Sequence, residues 1–192
     1  MPRLILASAS PYRLELLQNA GFDVTAFPSE IEEPDLTQFA DIEAGLVYLA
    51  QLKARAVASQ ARGIIFAADT VGLVEGRPLG KPADREEAKC MLQAISGTAH
   101  EVLTGWCLLR TADRLLVSGV ERTRIVMRAW TEAELEAYLA GGEWEGKCGG
   151  YGLQLDADPF VTRIEGSRSN VIGVPLERLQ AVLAEFPALA DQ

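Results

Sequence analysis

A handful of polar residues stand where apolar segments would deliver them to a ligand, and most of them suit phosphate. Asp69 follows the apolar run of GIIFAADT. A carboxylate brought to the end of a buried strand must be paired, hydrogen-bonded or bound to a cation, and magnesium takes carboxylates together with phosphate oxygens. The bland alternative is a turn aspartate bonding its own backbone. Glu32 and Glu33 lie in PSEIEEPD, a proline-flanked loop with four carboxylates, where they are either metal ligands and a general base or solvated surface. Lys81 stands between Gly80 and Pro82 in PLGKP, a rigid mount for one ammonium group. Lys53 falls near the end of an expected helix, where the dipole alone accounts for a cation.

The segment SASPYR carries a sharper signal. Ser10 is a good N-cap and Pro11 suits the first helical position, so Arg13 falls in the opening turn, where a cation opposes the helix dipole. Either a carboxylate such as Glu15 or Glu30 compensates it, or a ligand phosphate does, held by backbone N–H groups, the hydroxyls of Ser8 and Ser10, and the guanidinium fork. Further on, GKCGGYGLQ supplies four glycines, Lys147, and the Gln154 amide, which suits a base edge. EGSRSN adds Ser167, Arg168, Ser169 and Asn170, read as a polar loop. His100 is the single histidine, which removes Ser-His-Asp, Cys-His and multi-histidine zinc sites. No G-x-x-x-x-G-K-[ST] loop is present, which argues against a P-loop kinase or GTPase.

The elements that must position these residues alternate between strand and helix. The pattern predicts a strand at LILA, a helix from Pro11 to the Gly21 stop, a strand at FDVTAF and a helix from Thr37 to about Gln60. A buried strand ending at Asp69 and Thr70 follows, then a hairpin turning at Glu75 and Gly76. Asp84 caps the next helix, with Glu87 closing a capping box and Gly97 ending it. Two long strands meet at TADR, Thr131 and Glu134 open a helix through Leu139, and FVTRIEG is a last strand before a helix after Pro175. The fold class is α/β with a mixed central sheet and flanking helices.

Composition sets the outer bounds. The 192 residues are 48% hydrophobic, enough for one domain over the whole chain. A net charge of −9 with no basic block speaks against nucleic acid or an anionic membrane as partner. Cys90, Cys107 and Cys148 are scattered and odd in number, read as packing residues of a cytoplasmic protein.

Taken in order, LILASASPYRLELL, AADTV, LGKPADREEA, SGTAHEVLTG, GKCGGYGLQ and EGSRSNVIGVPL closely resemble the Maf family of nucleoside triphosphate pyrophosphatases, from about Leu4 to Leu179. The resemblance implies an inosine-triphosphatase-like fold with two lobes around a deep cleft, commonly dimeric. It also implies cleavage of a nucleoside triphosphate to the monophosphate and pyrophosphate, with magnesium or manganese. By position, Asp69 matches the catalytic aspartate, and Ser8, Arg13, Glu33, Lys53 and Lys81 match polar cleft residues. Asp69 and Glu33 are the implied metal ligands. Thr70 and Gln154 agree with the branch acting on dTTP and UTP, whereas Tyr12 replaces an arginine of that branch. An aromatic residue there resembles the branch acting on 7-methyl-GTP, where a ring could stack on a cationic purine. Two positions against one favour the pyrimidine nucleotides; 7-methyl-GTP and a nucleotide-binding regulator of cell division with little turnover are the alternatives.

Overall fold

The apolar runs lie side by side in one sheet whose order determines where the polar residues gather. The computed structural model describes residues 3–153 and 158–185, and in them seven strands form a mixed sheet. β1 (Leu4–Leu6) pairs in parallel with β2 (Val24–Ala26) and with the beginning of β3 (Ile64–Val74). β4 (Arg77–Leu79) turns back on the end of β3. On the other margin, β3 pairs antiparallel with β5 (Ala99–Arg110), β5 with β6 (Leu115–Met127) and β6 with β7 (Val161–Glu165).

This order leaves a gap. β1 covers Ile64–Phe66 and β4 covers Gly72–Val74 on one margin of β3, so Ala67 to Val71 have a strand neighbour only on the β5 side. Asp69 and Thr70 lie in that stretch. They are inside β3 and not at its end as expected, because Val71 and Leu73 continue the buried pattern and β5 supplies partners through Leu73.

The helices are α1 (Pro11–Asn19), α2 (Ile42–Ala58), α3 (Arg85–Ile95), α4 (Glu132–Ala140), α5 (Arg168–Ile172) and α6 (Leu176–Glu185). Side chains alternate across the sheet. On one face Ala50, Ala54 and Val57 of α2 bury against Ile65, Ala67, Cys107 and Leu109. On the other, Leu17 of α1 and Leu179 of α6 pack with Phe66, Ala68, Trp106 and Leu108. Farther along that face, Leu92 of α3 and Leu135 and Leu139 of α4 enclose Val102, Ile125 and Met127.

Several boundaries differ from expectation for local reasons. α2 begins later than Thr37, because Asp35 caps a short 3-10 turn (Leu36–Gln38), Phe39 is extended, and Asp41 then caps α2 by accepting from the Glu43 N–H. In α3, Asp84 accepts from the Glu87 N–H, but the Glu87 carboxylate reaches back to Ala83 N–H and not to the cap residue. SRSN is the start of α5 and not a loop, with the Ser167 hydroxyl accepting from the Asn170 N–H. The α4 capping box of Thr131 and Glu134 and the turn at Glu75 and Gly76 form as expected. No helix among the described residues is long and apolar enough to cross a membrane.

Gly105 sets how closely α2 approaches the sheet. It lies opposite Asp69 in the β3–β5 ladder, and a Cβ there would fall 2.4 Å from the Leu46 carbonyl carbon and 2.5 Å from its oxygen. Backbone cannot yield as a flexible side chain can. Gly105→Ala is expected to destabilise the fold by about 1–3 kcal/mol through overpacking, read as a lower urea midpoint with unchanged m-value.

Candidate active site

A cleft of about 940 Å³ opens over the gap in the sheet. Of the residues singled out from the sequence, Ser8, Ser10, Tyr12, Arg13, Glu33, Lys53, Asp69, Thr70, Lys81 and Lys147 all line it. Gln154 lies outside the described residues. Segments far apart in sequence thus meet at Ala67–Val71, where the carboxyl end of parallel β1 gives way to α1.

Asp69 points to the α2 face. The close approach over Gly105 lets Lys53, in the interior of α2 and not near its end, place its ammonium 2.6 Å from Asp69 Oδ1 and 2.8 Å from Glu33 Oε2. Lys53 is only 6% exposed. The helix dipole therefore does not explain it; a buried ammonium between two carboxylates does. Both adjacent acids are exposed, and Glu33 is the one that joins this bridge.

Thr70, one residue on, points to the opposite face and meets Arg13. The Arg13 Nη1 donates to Ala68 O at 2.9 Å and Ser8 Oγ at 3.3 Å, and its Nη2 donates to Thr70 Oγ1 at 3.0 Å. Neither Glu15 nor Glu30 pairs with it. Ala68 O lies on the open margin of β3, since Phe66 O on the same margin accepts from Ala7 N–H, so the guanidinium takes the place that a strand would have filled. Ser10 caps α1 by accepting from the Arg13 N–H, and the Ser8 hydroxyl accepts from the Ser10 N–H. Burial lowers the Arg13 pKa, opposed by the nearby Asp69, Cys148 and Glu33. Gly173 closes over the guanidinium: it has φ of +102°, and a Cβ there would stand 2.7 Å from Arg13 Nε.

The far wall is built by the glycine-rich segment. A 3-10 turn at Cys148–Gly150 is held to the β4 side by Gly149 N–H donating to Gly80 O at 2.8 Å, which joins the segments bearing Lys81 and Lys147. Lys147 folds over Gly152, where a Cβ would lie 2.5 Å from its Nζ. Cys148 is not simply a packing residue. Its Sγ contacts Thr70 O at 3.7 Å, the next carbonyl on the open margin, and burial raises its thiol pKa. Its place within GKCGGYGLQ is the sequence signal that separates it from Cys90 and Cys107. Thr104 and Asn170 form a working pair that sequence spacing does not reveal. The Thr70 and Thr104 hydroxyls are 2.9 Å apart, Thr104 Oγ1 is 3.0 Å from Asn170 O, and Asn170 is fully buried with Nδ2 donating to Val102 O and Thr123 Oγ1.

The carboxylates fit a divalent cation that a ligand completes. Asp69 and Glu33 offer hard oxygen donors at one point, and no group of three or more acid, histidine or cysteine side chains suited to a metal occurs among the described residues. One or two carboxylates with phosphate oxygens is the usual protein share of a magnesium site. His100 also lines the cleft, 7% exposed, with Nδ1 buried and unpartnered, and burial pushes its pKa from 6.5 down to about 4. The unfolded chain therefore binds the extra proton between pH 6.5 and 4. This stability is whole above 6.5 and is lost as pH falls, by about 3 kcal/mol at pH 4. Urea unfolding at pH 7 and pH 4 should show that loss in the parent and a correspondingly flatter dependence in His100→Gln.

Comparison with known proteins gives the family. A family model described as Maf-like protein matches residues 3–186. A Deinococcus radiodurans protein named dTTP/UTP pyrophosphatase is 44% identical, with 91% of this chain and 88% of that protein covered. Proteins of the same name from Pyrococcus horikoshii and Anaeromyxobacter dehalogenans are 39% and 40% identical, covering 91% of both chains and 100% and 98% respectively. Among solved structures, a HAM1 protein from Coxiella burnetii superposes with a TM-score of 0.53 at 17% identity, over 96% of this chain and all of that one, a likeness of fold. With a family match over nearly its whole length and relatives near 40% identity, the chain belongs to the Maf-like protein family.

Proposed function

We infer that the chain is a hydrolase of phosphoric anhydride bonds, converting dTTP and UTP with water to the monophosphate and pyrophosphate. The observation that carries this reading is the two-sided cleft: carboxylates of Asp69 and Glu33 bridged by Lys53 on one face of β3, and the Arg13 guanidinium on the other. Relatives named dTTP/UTP pyrophosphatase, matched over most of both chains, support the substrate class.

The residues divide the reaction among them. Arg13 keeps N–H donors beyond the three it spends on the protein and can meet phosphate oxygens. Lys81 and Lys147 bring further positive charge to the mouth of the same cleft. A water attacks the α-phosphorus, the bond to the bridging oxygen breaks, and pyrophosphate leaves against these cations. In this reading Asp69 takes the water's proton or chiefly holds the metal, and Lys53, 2.6 Å away, orients that carboxylate. Asp69 and Glu33 would hold a magnesium or manganese ion, which when bound neutralises phosphate charge. Three free cysteines support a reducing compartment, and a homodimer belongs to the same reading. Tyr12, 58% exposed on the cleft, supports including 7-methyl-GTP in the substrate panel.

Pyrophosphate release measured with magnesium or manganese on UTP, dTTP, CTP, GTP and 7-methyl-GTP should favour UTP and dTTP. Asp69→Asn should reduce that release by about a hundredfold or more, with retained nucleotide binding. Asparagine keeps the size of the side chain but can neither accept the proton nor balance Lys53. Cleavage by the variant at the parent rate would exclude Asp69 from the chemistry.

A further inference from the structure

The two carboxylates suited to a metal ion already hold a cation. Lys53 Nζ lies 2.6 Å from Asp69 Oδ1 and 2.8 Å from Glu33 Oε2, so the point on which both acids converge is taken by an ammonium that the protein itself supplies. It is not free to step aside. Lys53 is buried in the interior of α2, and withdrawing it from these partners would strand a charge away from water.

What the cleft attracts follows from the charges that remain. Two carboxylates and one ammonium leave a single negative charge at that point, while Arg13, Lys81 and Lys147 line the rest of the cleft, with Asp35 as the one further acid among its described lining residues. The cleft is therefore net positive, inside a chain whose net charge is −9. A free divalent cation meets a half-neutralised pair of donors and repulsion from the surrounding basic groups. A triphosphate meets the reverse, and its oxygens supply the ligands that two partly engaged carboxylates cannot. Only the two together match the cleft in both charge and donors.

We propose that Lys53 is an internal counter-cation that denies Asp69 and Glu33 a metal ion of their own, so that the divalent ion enters as a complex with the nucleotide. This rests on the reading of the cleft as a nucleoside triphosphate site. A lysine that only oriented Asp69 would need one partner. Sharing the ammonium with Glu33, which reaches in from the loop after β2, neutralises the second acid as well and closes the pair to free metal.

Equilibrium dialysis of Mn2+ against the whole chain reads this without turnover. The parent is expected to retain manganese with α,β-imido-UTP, in which nitrogen replaces the bridging oxygen to be cleaved, and to retain at least about tenfold less without nucleotide. Lys53→Met and Lys53→Gln remove the charge and should retain manganese without nucleotide at least about tenfold more tightly than the parent, whereas Lys53→Arg keeps the charge and should not. A lysine that served only to support the fold or orient Asp69 would give no such gain. Two results overturn the proposal: nucleotide-free parent that holds manganese as tightly as the ternary mixture, or neutral variants, folded by circular dichroism, that hold no more than the parent. Should both neutral variants fail to fold, the parent comparison alone decides. Parent that cleaves UTP yet retains no manganese with the analogue also overturns it, whereas absence of pyrophosphate release from UTP and dTTP overturns the underlying function in a separate assay.

Discussion

The Lys53 ammonium, buried between Asp69 and Glu33, is the interaction on which the rest of the cleft depends. A cation removed from water this far is tolerable only with close anionic partners, and the two contacts at 2.6 and 2.8 Å supply them. The requirement propagates outward. α2 must lie low enough on the sheet to bring residue 53 to residue 69, which demands a glycine opposite Asp69, and the acidic loop after β2 must fold back so that Glu33 completes the pair. Charge placement and backbone packing are therefore one constraint seen from two sides.

Alternation along β3 divides the labour. Asp69 turns to the α2 face and Thr70 to the α1 and α5 face, so two neighbours in sequence serve acid and cation on opposite sides of the same strand. Gly173 and Asn170, from the end of the chain's fold, brace the second side. Asn170 ties β5 and β6 together through its side chain while its carbonyl closes the hydroxyl chain from Arg13. Rigidity of this kind keeps the guanidinium oriented before a ligand arrives.

Much of the site was legible in the sequence because its parts carry local signals. Arg13 conflicts with the dipole of its own helix, Lys81 sits on a rigid mount, and Asp69 interrupts an apolar strand. Thr104 and Gly173 carry no such signal. Thr104 reads as one more strand residue until the β3–β5 register sets it beside Thr70, and Gly173 reads as a helix stop until Arg13 lies against it. The start of α2 is ambiguous in sequence since Asp35 and Asp41 are both competent caps, and tertiary packing of Phe39 against Gly45 accompanies the later one. Asp69 reads as a strand end because its polarity masks the continuation of buried residues at Val71 and Leu73.

The open margin of β3 has an evolutionary meaning. Ala68 O and Thr70 O are main-chain atoms, and they are left to the Arg13 and Cys148 side chains because β1 and β4 stop short of each other. No substitution at residue 68 or 70 can delete those carbonyls. Side chains around the gap can drift, and specificity with them, while strand lengths preserve the scaffold on which each new arrangement is tried. Such a site is heritable through topology as well as through residue identity.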